Sequence, residues 1–128
     1  MIFPAIANGN ISPARFLMVD VTLDNAVIQA TAGARTCGIS QKGTRRTPYA
    51  GLDDGLAAIA GENIHFFGPP ETAPLELGGT VTRGDGLKAD ATGRGVTAGT
   101  AGDNIGALAE QSGVLGDIIE VQIIAGKV

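Results

Sequence analysis

Few side chains in this 128-residue sequence could act as nucleophile, acid or base, and none stands in a pattern that such chemistry requires. The single histidine, His65, lies in Ile64-His65-Phe66-Phe67, where strand alternation puts it on one face with Phe67. A general base needs a partner that orients and tunes it. An isolated histidine in an apolar run is expected to be a packed or rim side chain. Cys37, the single cysteine, sits mid-strand beside Gly38 and is expected to be a small, inert core residue. One cysteine allows no intrachain disulfide. No Cys/His spacing fits zinc, the Asp-rich calcium loop is absent, and neither G-x-G-x-x-G nor the Walker A phosphate loop occurs. Asp85, Asp103 and Asp117 each follow a glycine and are expected to be turn carboxylates accepting from nearby backbone amides. Arg83-Gly84-Asp85 spells a cell-adhesion tripeptide, but three residues recur by chance and here they lead into a strand. The sequence therefore predicts a protein that is not an enzyme and uses no metal or cofactor.

Composition narrows the partners. Nine basic residues are scattered among thirteen acidic ones, for a formal charge of −4. Only Arg45-Arg46, near Lys42, form a basic cluster, which speaks against direct nucleic-acid binding through the phosphate backbone. No apolar run of membrane-spanning length occurs, and the N-terminus lacks a secretory-signal pattern, so synthesis in the cytoplasm is expected. Hydrophobic residues make up 44% of the chain while aromatics make up 4% and Trp is absent. A folded core is expected, built from Val, Ile, Leu and Ala.

The elements that must position these residues are strands. Twenty glycines recur every few residues and separate short runs rich in Val, Ile and Thr. Glycine marks turns and bulges, and β-branched residues suit a pleated sheet. Strands are expected at Phe16–Asp20, Ala26–Ala30, Arg35–Ser40, Ile64–Phe67, Leu75–Leu77, Leu87–Ala89, Gly95–Ala98, Ile105–Ala109 and Ile118–Ile124. One short helix is expected near residues 52–60, where Leu52, Leu56, Ile59 and Ala60 share a face and Gly61 would stop it. Asp53 and Asp54 would favour its N-terminus, while Gly55 would weaken it. The fold class is mainly β, a small barrel- or sandwich-like domain over 11–128 preceded by an N-terminal arm over 1–10.

The chain also carries a faint internal duplication. Ser12-Pro13-Ala14-Arg15-Phe16-Leu17-Met18-Val19-Asp20 lines up with Thr82-Arg83-Gly84-Asp85-Gly86-Leu87-Lys88-Ala89-Asp90. Each leads through a second strand to a glycine-containing third, Cys37-Gly38-Ile39-Ser40 and Ile105-Gly106-Ala107-Leu108-Ala109. Two such halves could pack as a barrel or a sandwich.

Two segments are candidate partner contacts. The polar loop containing Arg45, Arg46 and Tyr49 has the residue types favoured at interface hot spots. The apolar start, with Met1, Ile2, Phe3 and Ile6, has reason to dock on its own core or on a neighbouring subunit.

Three stretches together carry a family resemblance. They are Ile11-Ser12-Pro13-Ala14-Arg15-Phe16 leading to Ala32-Gly33-Ala34 and Gly38-Ile39-Ser40; Gly78 through Val96, with its order of glycine, Val81, Gly84-Asp85, Leu87, Asp90 and Gly93; and Ile105-Gly106-Ala107-Leu108-Ala109 followed by Gly116-Asp117-Ile118-Ile119-Glu120-Val121. In these the chain resembles the small capsid decoration, or cement, proteins of tailed bacteriophages. The resemblance implies a β-rich homotrimer in the virion, on the capsid exterior, bridging major capsid protein subunits and stabilising the head. It supplies no catalytic motif. The competing reading is a soluble β-barrel module that binds a small ligand or carbohydrate, although so few aromatics offer little for stacking a sugar.

Overall fold

A computed structural model describes residues 2–20, 22, 24–41 and 57–127. These residues form ten strands: β1 (Ile2–Ala7), β2 (Phe16–Val19), β3 (Ala26–Gln29), β4 (Gly38–Ser40), β5 (Asn63–Phe67), β6 (Thr72–Glu76), β7 (Gly86–Ala89), β8 (Gly95–Thr97), β9 (Asn104–Ala109) and β10 (Ile118–Lys127). The nine expected strands are all present; β4 starts later than expected, at Gly38, and β6 earlier, at Thr72. The tenth, β1, comes from the segment expected to be an arm. It docks on its own core, pairing antiparallel with β5 from Ile2–Phe67 to Ile6–Asn63 and parallel with β3 at Ile6–Ala26 and Ala7–Val27.

The expected helix is corrected in its described part. Residues 52–56, including Leu52 and Leu56, lie outside the described residues. Ala57 lies at a bend and Ala58 in a bridge: Ala57 N donates to Ile11 O at 2.8 Å, and Ala58 pairs antiparallel with Ile11. Ile59 to Glu62 then make a tight turn. The reason is non-local. Ala57 and Ala58 are buried beside Ile11 and Ile64 in the first core, and a helix would break the bridge that seats them there. Among the described residues there is no helix.

The duplication is a structural one. The first sheet is a closed barrel in the order β1-β3-β2-β4-β5; the second has the order β6-β10-β9-β7-β8 and carries the same connectivity in its own half. Their registers coincide pair for pair. Leu17–Gly38 in the first half corresponds to Leu87–Ala107 in the second, Ile39–Phe67 to Leu108–Gln122, and Ile11–Ala58 to Val81–Gly113. Even the parallel β1–β3 contact at Ala7–Val27 has its counterpart, the parallel bridge Leu77–Gly95. Each third strand contains its expected glycine, but Gly106 is equivalent to Cys37 and Gly38 to Ala107, so the two glycines differ by one position. The repeats differ most between β4 and the Ile11-bridged residue Ala58. That connection holds residues 41–57 in the first repeat but only 110–112 in the second.

The second sheet is curled but not fully closed, because the first repeat is wedged into it. In the first barrel Ile6 N donates directly to Asn25 O at 2.8 Å. In the second the equivalent groups are spread apart and the backbone of Ala14–Phe16 fills the gap. Glu76 N donates to Ala14 O at 2.9 Å and Phe16 N to Gly93 O at 2.7 Å. Paired backbone groups must stay paired when buried, so this substitution lets two barrels share one core. Phe16, Ala30 and Ile39 of the first repeat pack in the core of the second with Leu75, Leu87 and Val121. The first repeat keeps a smaller core of its own around Ile11, Leu17, Val27 and Ile64.

Candidate interaction surface

The residues with chemical potential are built into the framework. Cys37 is half-buried against the first core, and burial pushes its thiol up to about 11, away from the thiolate range. The backbone of His65 lies in β5 opposite Pro4. Among the described residues, no three His, Cys, Asp or Glu side chains converge.

The glycine–carboxylate pairs are repeats of one turn. In 82–85, 100–103 and 114–117, the fourth residue's N–H donates to the first residue's carbonyl at 3.0 Å. Its carboxylate accepts from the first residue's N–H: Thr82 N to Asp85 Oδ2 at 2.9 Å, Thr100 N to Asp103 Oδ2 at 3.1 Å and Val114 N to Asp117 Oδ2 at 3.0 Å. The glycines take φ of +95°, +92° and +88°, a backbone region costly for L-residues. The first repeat departs from this at Ser12-Pro13-Ala14-Arg15. Ala14 adopts φ +54°, and the N–H of Ser12 finds Gln29 Oε1 at 2.8 Å instead of an acidic side chain.

Arg15, freed from the turn, crosses to the second repeat. Its guanidinium donates to Glu76 Oε2 and to Thr92 O, both at 3.0 Å. Arg94 Nε lies 2.7 Å from the same Glu76 oxygen, so one carboxylate holds two cations along the seam. Gln29 Nε2 donates to Thr92 O at 2.7 Å, and buried Ser40 links Ser12 O and Arg15 N through its hydroxyl. Each repeat also fixes its β-hairpin by an Asp-x-Thr cap: Thr22 N to Asp20 Oδ1 and Thr92 N to Asp90 Oδ1, both at 2.9 Å. Asn8 donates to the other oxygen of Asp20.

Among the described residues, two surfaces expose large apolar side chains. The first is the mouth of the first barrel, a cavity of about 370 Å³ walled by Ala5, Val27, Cys37 and Phe66, with Val19 and Asn25 at its rim. Val19 is 60% exposed. In the second repeat the equivalent mouth is filled. Phe16 and Thr36 stand against Gly106 so closely that a Cβ there would lie 2.8 Å from Phe16 Cε1 and 2.3 Å from Thr36 Oγ1. Gly33 N donates to Ala89 O, the counterpart of Val19 O, at 3.0 Å. The second open surface is the turn before β10, where Val114, Leu115 and Ile118 are 55%, 62% and 45% exposed. Ile118 is the cross-strand neighbour of the seam residue Glu76, and the turn is tied to Leu77, the residue after β6, by Leu77 N to Asp117 O at 2.8 Å and Gly116 N to Leu77 O at 2.9 Å.

Of the contact residues expected from sequence, Met1, Arg45, Arg46 and Tyr49 lie outside the described residues. Ile2, Phe3 and Ile6 belong to β1, and the Ile6 side chain is half-buried. The sequence reading missed Val114, Leu115 and Ile118. Their signal is two large aliphatic residues placed between turn glycines, Gly113-Val114-Leu115-Gly116, where polar residues usually stand.

No protein-family model matches the chain, and no curated protein matches it. Among solved structures it is similar to the N base of the head fiber gp8.5 of bacteriophage phi29, with 16% sequence identity and a TM-score of 0.67, over 100% of this chain and 97% of that one. Both repeats and the seam between them fall within the matched length, so this chain has the fold of that head-fiber base.

Proposed function

We propose that this protein is a structural, non-enzymatic component of a tailed-phage head, carried on the capsid exterior as a homotrimer that binds the major capsid protein and stabilises the shell. The observation that carries this reading is the end-to-end fold match with a phage head-fiber base. It stands beside the turn-and-strand order that resembles the decoration proteins. The physics is compatible. A clamp across capsid subunits needs modest area per contact, because a trimer presents three contacts that act at high effective concentration once the first has formed. Turn-rich β structure held by glycine–carboxylate turns and an ion-paired seam presents a rigid surface at little entropic cost on binding.

The ligand-binding alternative has one observation in its favour, the open mouth of the first barrel. Its walls argue for a protein side chain over a sugar. They are Ala, Val, Phe and Cys37 with a single amide at the rim, whereas small-ligand sites bring several polar groups together.

The test is to mix purified protein with expanded heads assembled without it, then measure co-sedimentation and the heat resistance of the heads. Saturable binding and heads that survive a higher temperature are expected. Absence of binding at a large molar excess over capsid sites would sink the capsid reading.

A further inference from the structure

We propose that Asn8-Gly9 is a self-modifying site, at which the folded protein converts Asn8 to aspartate and isoaspartate. The Gly9 amide nitrogen attacks Cγ of Asn8. The new C–N bond closes a succinimide ring, the Cγ–Nδ2 bond breaks, and ammonia leaves with the Gly9 amide proton. Water then opens the ring at either carbonyl. Sequence and structure single out this one residue. The asparagines of the chain are Asn8, Asn10, Asn25, Asn63 and Asn104, and Asn8 is the one that precedes a glycine. Glycine has no Cβ to shield its nitrogen. The others precede Ile11, Ala26, Ile64 and Ile105. Ile11 N is committed to Ala58 O at 2.9 Å, and Ala26, Ile64 and Ile105 lie within β3, β5 and β9. Gly9 sits at a bend just past β1, and its N–H meets no acceptor among the described residues. A Cβ at Gly9 would touch nothing within 4 Å, and Asn8 is exposed, so the ring has room to form and water reaches it.

The product lands where a second carboxylate does harm. Asn8 Nδ2 donates to Oδ2 of Asp20, the residue that caps the β2–β3 hairpin and follows Val19 at the rim of the first barrel. Deamidation removes that donor and sets a like charge against Asp20, which loosens the end of β1 from the hairpin. Isoaspartate also routes the main chain through the side-chain methylene. The added atom falls between the Ala7–Val27 pair and the Ile11–Ala58 bridge, which hold the segment from both sides. The second repeat carries no such site. By the register that matches Ala7–Val27 to Leu77–Gly95, its equivalent residues are Gly78-Gly79. The change therefore acts on the open barrel alone.

The test is to hold the full-length folded protein in mildly alkaline buffer at body temperature for weeks and to sample it by tryptic mass spectrometry. The peptide ending at Arg15 is expected to gain one mass unit, and its fragment ions to place the gain on Asn8. Labelling by an isoaspartyl methyltransferase is expected to mark part of that product. Asn10, in the same peptide, is the internal control and is expected to stay intact, as are Asn25, Asn63 and Asn104. Asn8→Ser is expected to abolish both signals. An Asn8 that stays intact in the folded protein, or that changes no faster than Asn10, overturns the inference, whatever the chain does when unfolded in urea. The consequence is read separately by thermal unfolding. Asn8→Asp is expected to melt below Asn8→Ser, which loses the same donor without adding a charge; equal melting temperatures overturn the claimed loosening at Asp20.

Discussion

Replacing Gly106 by alanine tests the packing that holds the two repeats together. A Cβ built at this position lies 2.3 Å from Thr36 Oγ1 and 2.8 Å from Phe16 Cε1. Favourable contacts between heavy atoms begin near 3.5 Å, so the methyl overlaps its neighbours by roughly 1 Å. Neither neighbour can swing away cheaply. Phe16 is fully buried and pinned by its own N–H to Gly93 O, and Thr36 is a short, β-branched side chain. Overpacking of this kind costs about 1–3 kcal/mol, against a gain of about 0.5–1 kcal/mol from the smaller backbone entropy of an unfolded chain with alanine. The net loss is about 0–2.5 kcal/mol, centred near ~1 kcal/mol, a fall in Tm of roughly 4 °C for a domain of this size. Thermal unfolding followed by circular dichroism reads it directly. Gly126→Ala is the control, because a Cβ there meets nothing within 4 Å. It is expected to leave Tm unchanged or raise it slightly. Phe16→Leu combined with G106A is expected to cost less than the sum of the two single changes, since the smaller side chain relieves the overlap. A G106A protein that unfolds at or above the wild-type temperature would refute the claim that the second mouth is tightly plugged by the first repeat.

Three further outcomes follow from the seam, the thiol and the turn carboxylates. Glu76→Ala leaves Arg15 and Arg94 facing each other without their shared carboxylate, and is expected to destabilise by about 1–3 kcal/mol in urea titration; a change within error would mean the seam is held by apolar packing alone. Cys37, pushed up to about 11, is expected to react slowly with Ellman's reagent at pH 8. Because its folded pKa lies above its unfolded one, its contribution to stability is full below about pH 8.5 and lost as pH rises towards 11. The C37S variant should therefore show a flatter alkaline stability profile. Asp20, held below the usual carboxylate range by the Thr22 hydroxyl and then Asn8, and Asp103, held down by Lys88, act in the opposite sense. Their stabilisation is present above about pH 4 and lost as pH falls through their lowered folded values. Removing both as D20N/D103N is expected to flatten the acid limb of a urea-midpoint-against-pH plot; an unchanged limb would refute their role.

Local physics explains why so much of the framework was legible. Strands such as β10, where Ile119, Val121 and Ile123 alternate with Glu120 and Gln122, declare themselves by period alone. The turns declare themselves by glycine followed by Asp, because a positive φ and a nearby amide acceptor are needs of four consecutive residues. The interaction surface was less legible. Exposure of Val114 and Leu115 and openness of the mouth at Val19 depend on what does or does not pack over them, and that is fixed by chain segments far away in sequence.

The sequence by itself determined the β class, nine of the ten strands, the role of the Gly-Asp pairs and the trace of a duplication. Tertiary structure decided four things. β1 became a barrel strand instead of an arm, because its ladder partners β3 and β5 lie far along the chain. Ala57 and Ala58 left the expected helix, because pairing with Ile11 places them in the first core. The two halves proved equivalent in register although their side chains had drifted, since backbone pairing persists where volumes trade between positions, as when Gly86 stands for Phe16 and Ile105 moves in beside it. And one mouth was plugged while its twin stayed open, because the first repeat can cover only one of them.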